Sequence, residues 1–235
     1  MQLSKLKLFI IVLLAFFVLG AAFKVMVLVE GLTEVRPVNA IPPVAGLIAG
    51  PIGALACGIG NLLADLTGSF GFRSILGIFA NFVAAYLPFR LWHLFSKEAP
   101  NLHGVKNIML YIFISLVNAF TTAWFLSYGL STFFGIWLEQ IYVYVFFNNF
   151  GFSVGLGMPL MIVMTSDSIN ILCAKRLPHL ILDRVRIKIP VIAVYLVLML
   201  IVFITVIFLH ISPQEYVWLH IISALSFLGL LVLII

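Results

Sequence analysis

Long apolar runs, separated by short polar clusters, dominate the chain. Leu8–Val29, Ser74–Trp92, Ile108–Ser127, Phe152–Cys173, Ile189–His210 and Tyr216–Ile235 are each apolar enough to read as a membrane-crossing helix. About 20 residues at about 1.5 Å per residue cover a hydrocarbon core. Ile41–Leu66 also has the length, but Gly50-Pro51 stands in its middle. Proline removes a backbone donor there and drives the preceding residue out of the α region. The stretch therefore predicts two short helices, one ending at Gly50 and one starting on Pro51. Phe133–Phe147 is apolar but carries Glu139 and Gln140 and ends at Asn148-Asn149, so it is expected to lie at the outer surface or re-enter rather than cross. Gly129, Ser131 and Thr132 are expected to end the helix before it.

Charge settles the count of crossings. Basic loops stay on the cytoplasmic side. Lys5 and Lys7, loop 93–106 with Lys97 and Lys106, and loop 174–188 with Lys175, Arg176, Arg184, Arg186 and Lys188 then share one side only if 36–66 crosses twice and 133–147 does not. The expectation is an all-α polytopic membrane protein with about eight spans and both ends cytoplasmic. Residues 1–173 would form the core, 174–188 a basic cytoplasmic loop and 189–235 a C-terminal transmembrane hairpin. The second span is short, since few residues separate Val35 from Gly50. Trp92, Trp124, Trp137 and Trp218 fall near the two interfaces, as an aromatic belt requires.

With 64% hydrophobic and 9% charged residues among 235, no stretch is polar enough for a soluble domain. The net charge of +5 is accounted for by topology and gives no nucleic-acid signal. Lys5, Lys7, the run from Leu8 and Gly20-Ala21-Ala22 resemble a secretory signal, yet the run continues past Lys24 to Val29, which suits an uncleaved first span. Cys57 and Cys173 both sit in apolar segments, so a disulfide is not expected.

The third span has two distinct faces. Gly53, Ala56, Gly60 and Ala64 form a stripe of small side chains that lets another helix approach closely. Beside it, Ala54, Gly58, Asn61 and Asp65 form a stripe that turns polar toward the outer end. The first face suits a helix of another protein and the second a solute pocket; equally, both suit packing within this chain. A membrane carboxylate facing a bundle needs a partner. Lys24 lies at a depth where it can pair with Asp65, although a lysine there more readily snorkels to the interface. Glu139, Gln140, Asn148 and Asn149 flank a segment able to close over a pocket, or to lie with its polar side in water. Asn81, Asn118, Thr121, Thr122, Thr165, Ser166, Asp167 and Asn170 are the polar residues of the spans, of a kind that commonly joins helices. No P-loop, His-Glu-x-x-His or serine elbow is present, and the five histidines lack metal-ligand spacing. No enzyme activity, cofactor or metal site is expected, and any active transport must draw on a partner or an ion gradient.

Arg36, Pro42-Pro43, Gly50-Pro51, Gly53, Gly58, Asn61 and Asp65 together resemble the substrate-specificity subunits (S components) of energy-coupling factor (ECF) transporters. The likeness continues more loosely through Phe70–Trp92, with Gly77, Asn81 and Pro88, and covers about the first 173 residues. It implies a six-helix bundle that captures a vitamin or other micronutrient in its outer half, in a prokaryotic cell membrane. It further implies a transmembrane coupling subunit and two ATPase subunits as partners, with the receptor toppling to release solute inward. On this resemblance Arg36, Asn39, Asn61, Asp65, Asn81, Glu139, Gln140 and Asn148 would line the pocket. Gly53, Ala56, Gly60 and Ala64 would meet the coupling subunit. Two departures stand out: Ala15 is followed by Leu19, so the family's Ala-xxx-Ala contact is missing from span one, and Ile189–Ile235 adds a hairpin to the usual core. The rivals are a stand-alone ion-driven secondary transporter, with Asp65 and Glu139 carrying charge, and a non-transporting membrane scaffold.

Overall fold

The computed structural model of the chain describes residues 4–30, 32–166, 185–211 and 215–234, with 185–188 described as backbone only. Helix α1, Lys5–Ala22, buries Leu8, Val12, Phe16 and Gly20 at helical spacing and leaves its other faces apolar and exposed. Its 18 residues span about 27 Å. It stops seven residues before the expected Val29, because the chain instead forms a small antiparallel hairpin, β1 (Val27–Val29) with β2 (Thr33–Glu34). The β-branched Val25, Val27 and Val29 favour that extended form.

A 3-10 turn, Pro37–Ala40, leads into α2, Ile41–Ala49, and α3 follows as Pro51–Leu66. Gly50 joins them with φ of 58°, a conformation open to glycine, and Pro51 takes the first turn of α3. The two helices fold back on each other, and a β-carbon on Gly53 would overlap the Ala45 carbonyl. Gly50 packs on Phe89 of α4 (Ser74–Phe95). Phe89 lies about 22 Å along that helix from Ser74, so the α2–α3 pair reaches deep into the bundle.

Two expectations about the middle of the chain are corrected. Helix α5 runs unbroken from Val105 to Phe134, through Gly129, Ser131 and Thr132. A single helix glycine costs only about 1 kcal/mol, and Gly129 packs closely on Leu76. The stop comes at Gly135, whose φ of 65° and bonds back to Leu130 and Ser131 make a left-handed cap. Next, 133–147 is not a separate surface or re-entrant piece: α6 (Glu139–Phe152), a π turn (Ser153–Gly157) and α7 (Met158–Thr165) form one continuous helical rod. The span therefore begins at Glu139 rather than Phe152. Asn148 and Asn149 do not break it, because their amides are satisfied, Asn149 by the Val145 carbonyl and Asn148 by the hairpin. Asp167, Asn170, Cys173 and most of the expected basic loop lie outside the described residues; Val185 already begins α8, Val185–Phe208.

Helices α8 and α9 (Val217–Ile234) form the C-terminal hairpin, which lies along α4, α5 and α6. Tyr195 shares a 2.5 Å hydrogen bond with Thr121, and Phe203 packs against Phe120, Tyr142 and Phe146. Among the described residues six helices, counting Glu139–Thr165 as one, are long and apolar enough to cross a membrane, and the α2 and α3 segments are shorter apolar helices. The protein is an all-α, multi-pass membrane protein. Trp92 and Trp124 are buried inside the bundle, so these two are not belt anchors, whereas Trp218 is exposed.

Candidate functional site

Every helix from α1 to α6 sends one end to the same end of the bundle, and a cavity of about 90 Å³ lies among them. Lys24 follows α1, Glu34 and Arg36 come from the hairpin and its exit, and Asn39 from the 3-10 turn. Asn61 and Asp65 come from the last turns of α3, Gly77 and Asn81 from the start of α4. Thr122, Leu126 and Leu130 line it from α5, and Ile141, Val145 and Asn148 from α6.

The charged side is tightly knit. Lys24 Nζ sits 3.0 Å from Asp65 Oδ1 and 3.5 Å from Glu34 Oε1, and it also donates to the Ser69 hydroxyl. Both Lys24 and Asp65 are largely shielded from solvent, with side chains 15% and 11% exposed, where an ion pair is screened far less than at a surface. Asn61 donates to Asp65 Oδ2 at 3.2 Å and accepts from Arg36 Nη2 at 2.7 Å. One amide thus bridges a guanidinium and a carboxylate. The hairpin is fixed over this cluster by Asn148, which donates to the Glu34 carbonyl at 2.9 Å and accepts from the Arg36 N–H at 3.2 Å. Gly77 makes room for it, since a β-carbon there would stand 2.5 Å from Asn61 Nδ2.

Six of the eight residues singled out for the pocket come together here: Arg36, Asn39, Asn61, Asp65, Asn81 and Asn148. Glu139 and Gln140 do not. Glu139 begins α6 and pairs at 2.8 Å with His210, outside the cavity, and Gln140 is exposed. Because 139–147 is the first part of a span and not a flap, its polar start points away from the pocket. Lys24 engages Asp65 and does not snorkel. Glu34, Ser69 and Arg73 also line the cavity; they sit in the hairpin and in the turn before α4, where no helical periodicity assigns a side chain to a face.

The small-residue stripe packs within this chain. Gly53 meets α2, while Gly60 and Ala64 lie against Phe16 and Gly20 of α1, and all four stripe residues are buried. In this conformation the stripe holds α1 and α2 and offers no face to another subunit. The exposed edge of α3 is Leu55, Ile59 and Leu66. No three His, Cys, Asp or Glu side chains among the described residues gather as a metal set. No family model, curated protein or solved structure matches the chain.

Proposed function

We propose that this chain is a solute-binding membrane subunit of an ECF-type importer, capturing a vitamin or similar micronutrient and passing it inward through a coupling subunit served by two ATPases. The supporting observation is the cavity itself: Arg36, Asn39, Asn61, Asp65, Asn81 and Asn148, spread over 113 positions of sequence, converge on one space at one end of the bundle. Structural polar residues need only pairwise contacts; convergence of many elements on a shared void is what a binding site requires. In this reading Asp65 and Asn61 order the pocket and Arg36 holds an anionic or polar part of the solute. The pocket faces outward and the ends of the chain lie in the cytoplasm of a prokaryotic cell, with α2 and α3 counted as two of eight crossings. Lys97 in the loop joining α4 to α5, and Lys106 in the first turn of α5, lie at the opposite end from the pocket, which supports this orientation.

The test is solute retention by purified protein. Asp65→Ala and Arg36→Ala are each expected to lose a copurifying small molecule that wild type keeps under native mass spectrometry. Unaltered retention in both would remove these assignments.

One observation favours a second reading. The stripe that the family resemblance assigns to the coupling subunit is occupied by α1 and α2. A stand-alone, ion-driven transporter needs no such face, and Lys24, Glu34 and Asp65 would then carry the coupled charge. Uptake into proteoliposomes that contain this chain and no ATPase decides for it; uptake only with ATPases present decides for the importer.

A further inference from the structure

The cavity has two unlike walls and an uneven charge balance. Three cationic side chains line it, Lys24, Arg36 and Arg73, against two carboxylates, Glu34 and Asp65. Both carboxylates are engaged by the single ammonium of Lys24. Arg36 is half-buried, and among the described residues its guanidinium bonds only to the neutral amide of Asn61. Arg73 stands exposed at the rim with no ion pair or hydrogen bond from its side chain among the described residues. Among the described residues, the cavity therefore holds two guanidinium groups without a carboxylate partner. A guanidinium presents its donors in a planar fork that matches a carboxylate or phosphate edge, and it keeps its charge at every physiological pH.

The facing wall is aliphatic, formed by Leu76, Leu126, Leu130, Ile141 and Val145. Thr122 interrupts it with a buried hydroxyl that has no partner among the described residues. A buried hydroxyl left unpaired is costly, and a bound solute with a polar atom at that depth would relieve it.

Resting on the reading of this cavity as a solute site, we infer that its ligand is a small amphipathic anion. Its acid group, a carboxylate or phosphate, is held between Arg36 and Arg73. Its apolar body lies along the α5–α6 wall, with one polar atom in reach of Thr122. Lys24 is kept from the ligand by its two carboxylates and acts as the strut of the opposite wall. Neutral and cationic solutes of the same shape are disfavoured, since they leave the half-buried Arg36 guanidinium without a counter-charge and gain nothing from Arg73 at the rim.

The experiment is thermal unfolding of the full chain in detergent with a matched trio: pentanoate, pentanamide and pentylammonium. Pentanoate at saturation is expected to raise the melting temperature by about 3 °C or more, and the other two by less than about 1 °C. Arg73→Gln, at an exposed position with no side-chain hydrogen bond or ion pair to lose among the described residues, should fold normally and lose at least half of the pentanoate shift. Arg73→Lys should recover part of it. Repeating the pentanoate arm in nanodiscs separates two sources of the anion. A shift retained in phosphatidylglycerol nanodiscs marks a free solute; a shift lost there but kept in phosphatidylcholine marks a lipid headgroup as the natural occupant. No response to pentanoate, an equal response to the amide or the ammonium ion, or an unchanged pentanoate shift in Arg73→Gln overturns the inference. A preference for the amide or the ammonium ion would leave the receptor reading standing, whereas wild-type protein that neither responds to the trio nor retains any small molecule would remove both.

Discussion

Asn61 is the residue on which the charged side of the cavity turns, because its amide joins Arg36 to Asp65. Gly77 faces that amide with no side chain of its own. Gly77→Ala would place a methyl group 2.5 Å from Asn61 Nδ2. A flexible amide can swing aside, so the variant should fold, but only by breaking its link to Arg36 or Asp65. The expected outcome is a loss of solute retention of about tenfold, near 1.4 kcal/mol, with a fall in melting temperature of several degrees for the broken buried bond; calorimetry and thermal unfolding on the same sample separate the two. At this scale the sequence was informative wherever helical spacing fixed a face. Asn61 and Asp65 sit four apart, so one residue drew attention to the other. Glu34 and Arg73 lie in the hairpin and the turn before α4, where no period says which way a side chain points. Glu139 misled for the opposite reason: a carboxylate beside an apolar run looks like a pocket residue until the helix phase turns it toward His210.

The α2–α3 pair shows how far local chemistry carries an element. Gly50-Pro51 was enough to predict the break, and its place is the one expected. Gly50→Ala should cost about 1–3 kcal/mol in unfolding free energy, since φ of 58° with ψ of −135° strongly disfavours a β-carbon, which would also press on Phe89. An unfolding titration checks it; an unchanged midpoint would mean that the joint relaxes elsewhere. The continuous rod from Glu139 to Thr165 was not legible in the same way. Asn148-Asn149 look like a stop in sequence. They are tolerated because Asn148 finds its partners more than a hundred positions away in the hairpin, a long-range contact that no window of sequence contains. Small residues near the π turn also serve the packing, as Gly157 lies against Tyr111 and the Ala40 carbonyl.

For the whole molecule, the membrane class and the succession of apolar helices followed from hydrophobic patterning alone, because lipid demands long runs with internally bonded backbone. What patterning left open was which small-residue face meets which neighbour, since Gly53, Ala56, Gly60 and Ala64 are as suitable for α1 and α2 as for a separate subunit. Orientation is testable directly. With Cys57 and Cys173 replaced by alanine, a cysteine at Gly68, beside the cavity, should react with an impermeant maleimide added outside intact cells. One at Lys97, at the far end, should react only after permeabilisation. Reversed labelling would turn the pocket toward the cytoplasm and remove the case for capture from outside. Trp124 is sealed within the bundle, touching Trp137, Tyr128 and Tyr142, on the same helix as Thr122 and Leu126 of the cavity. Its emission should therefore shift or quench when the void fills, and replacing it with phenylalanine should abolish most of that signal while Trp92, buried at the opposite end, keeps a steady background. The protein carries its own optical gauge of occupancy, readable in a cuvette without any dye.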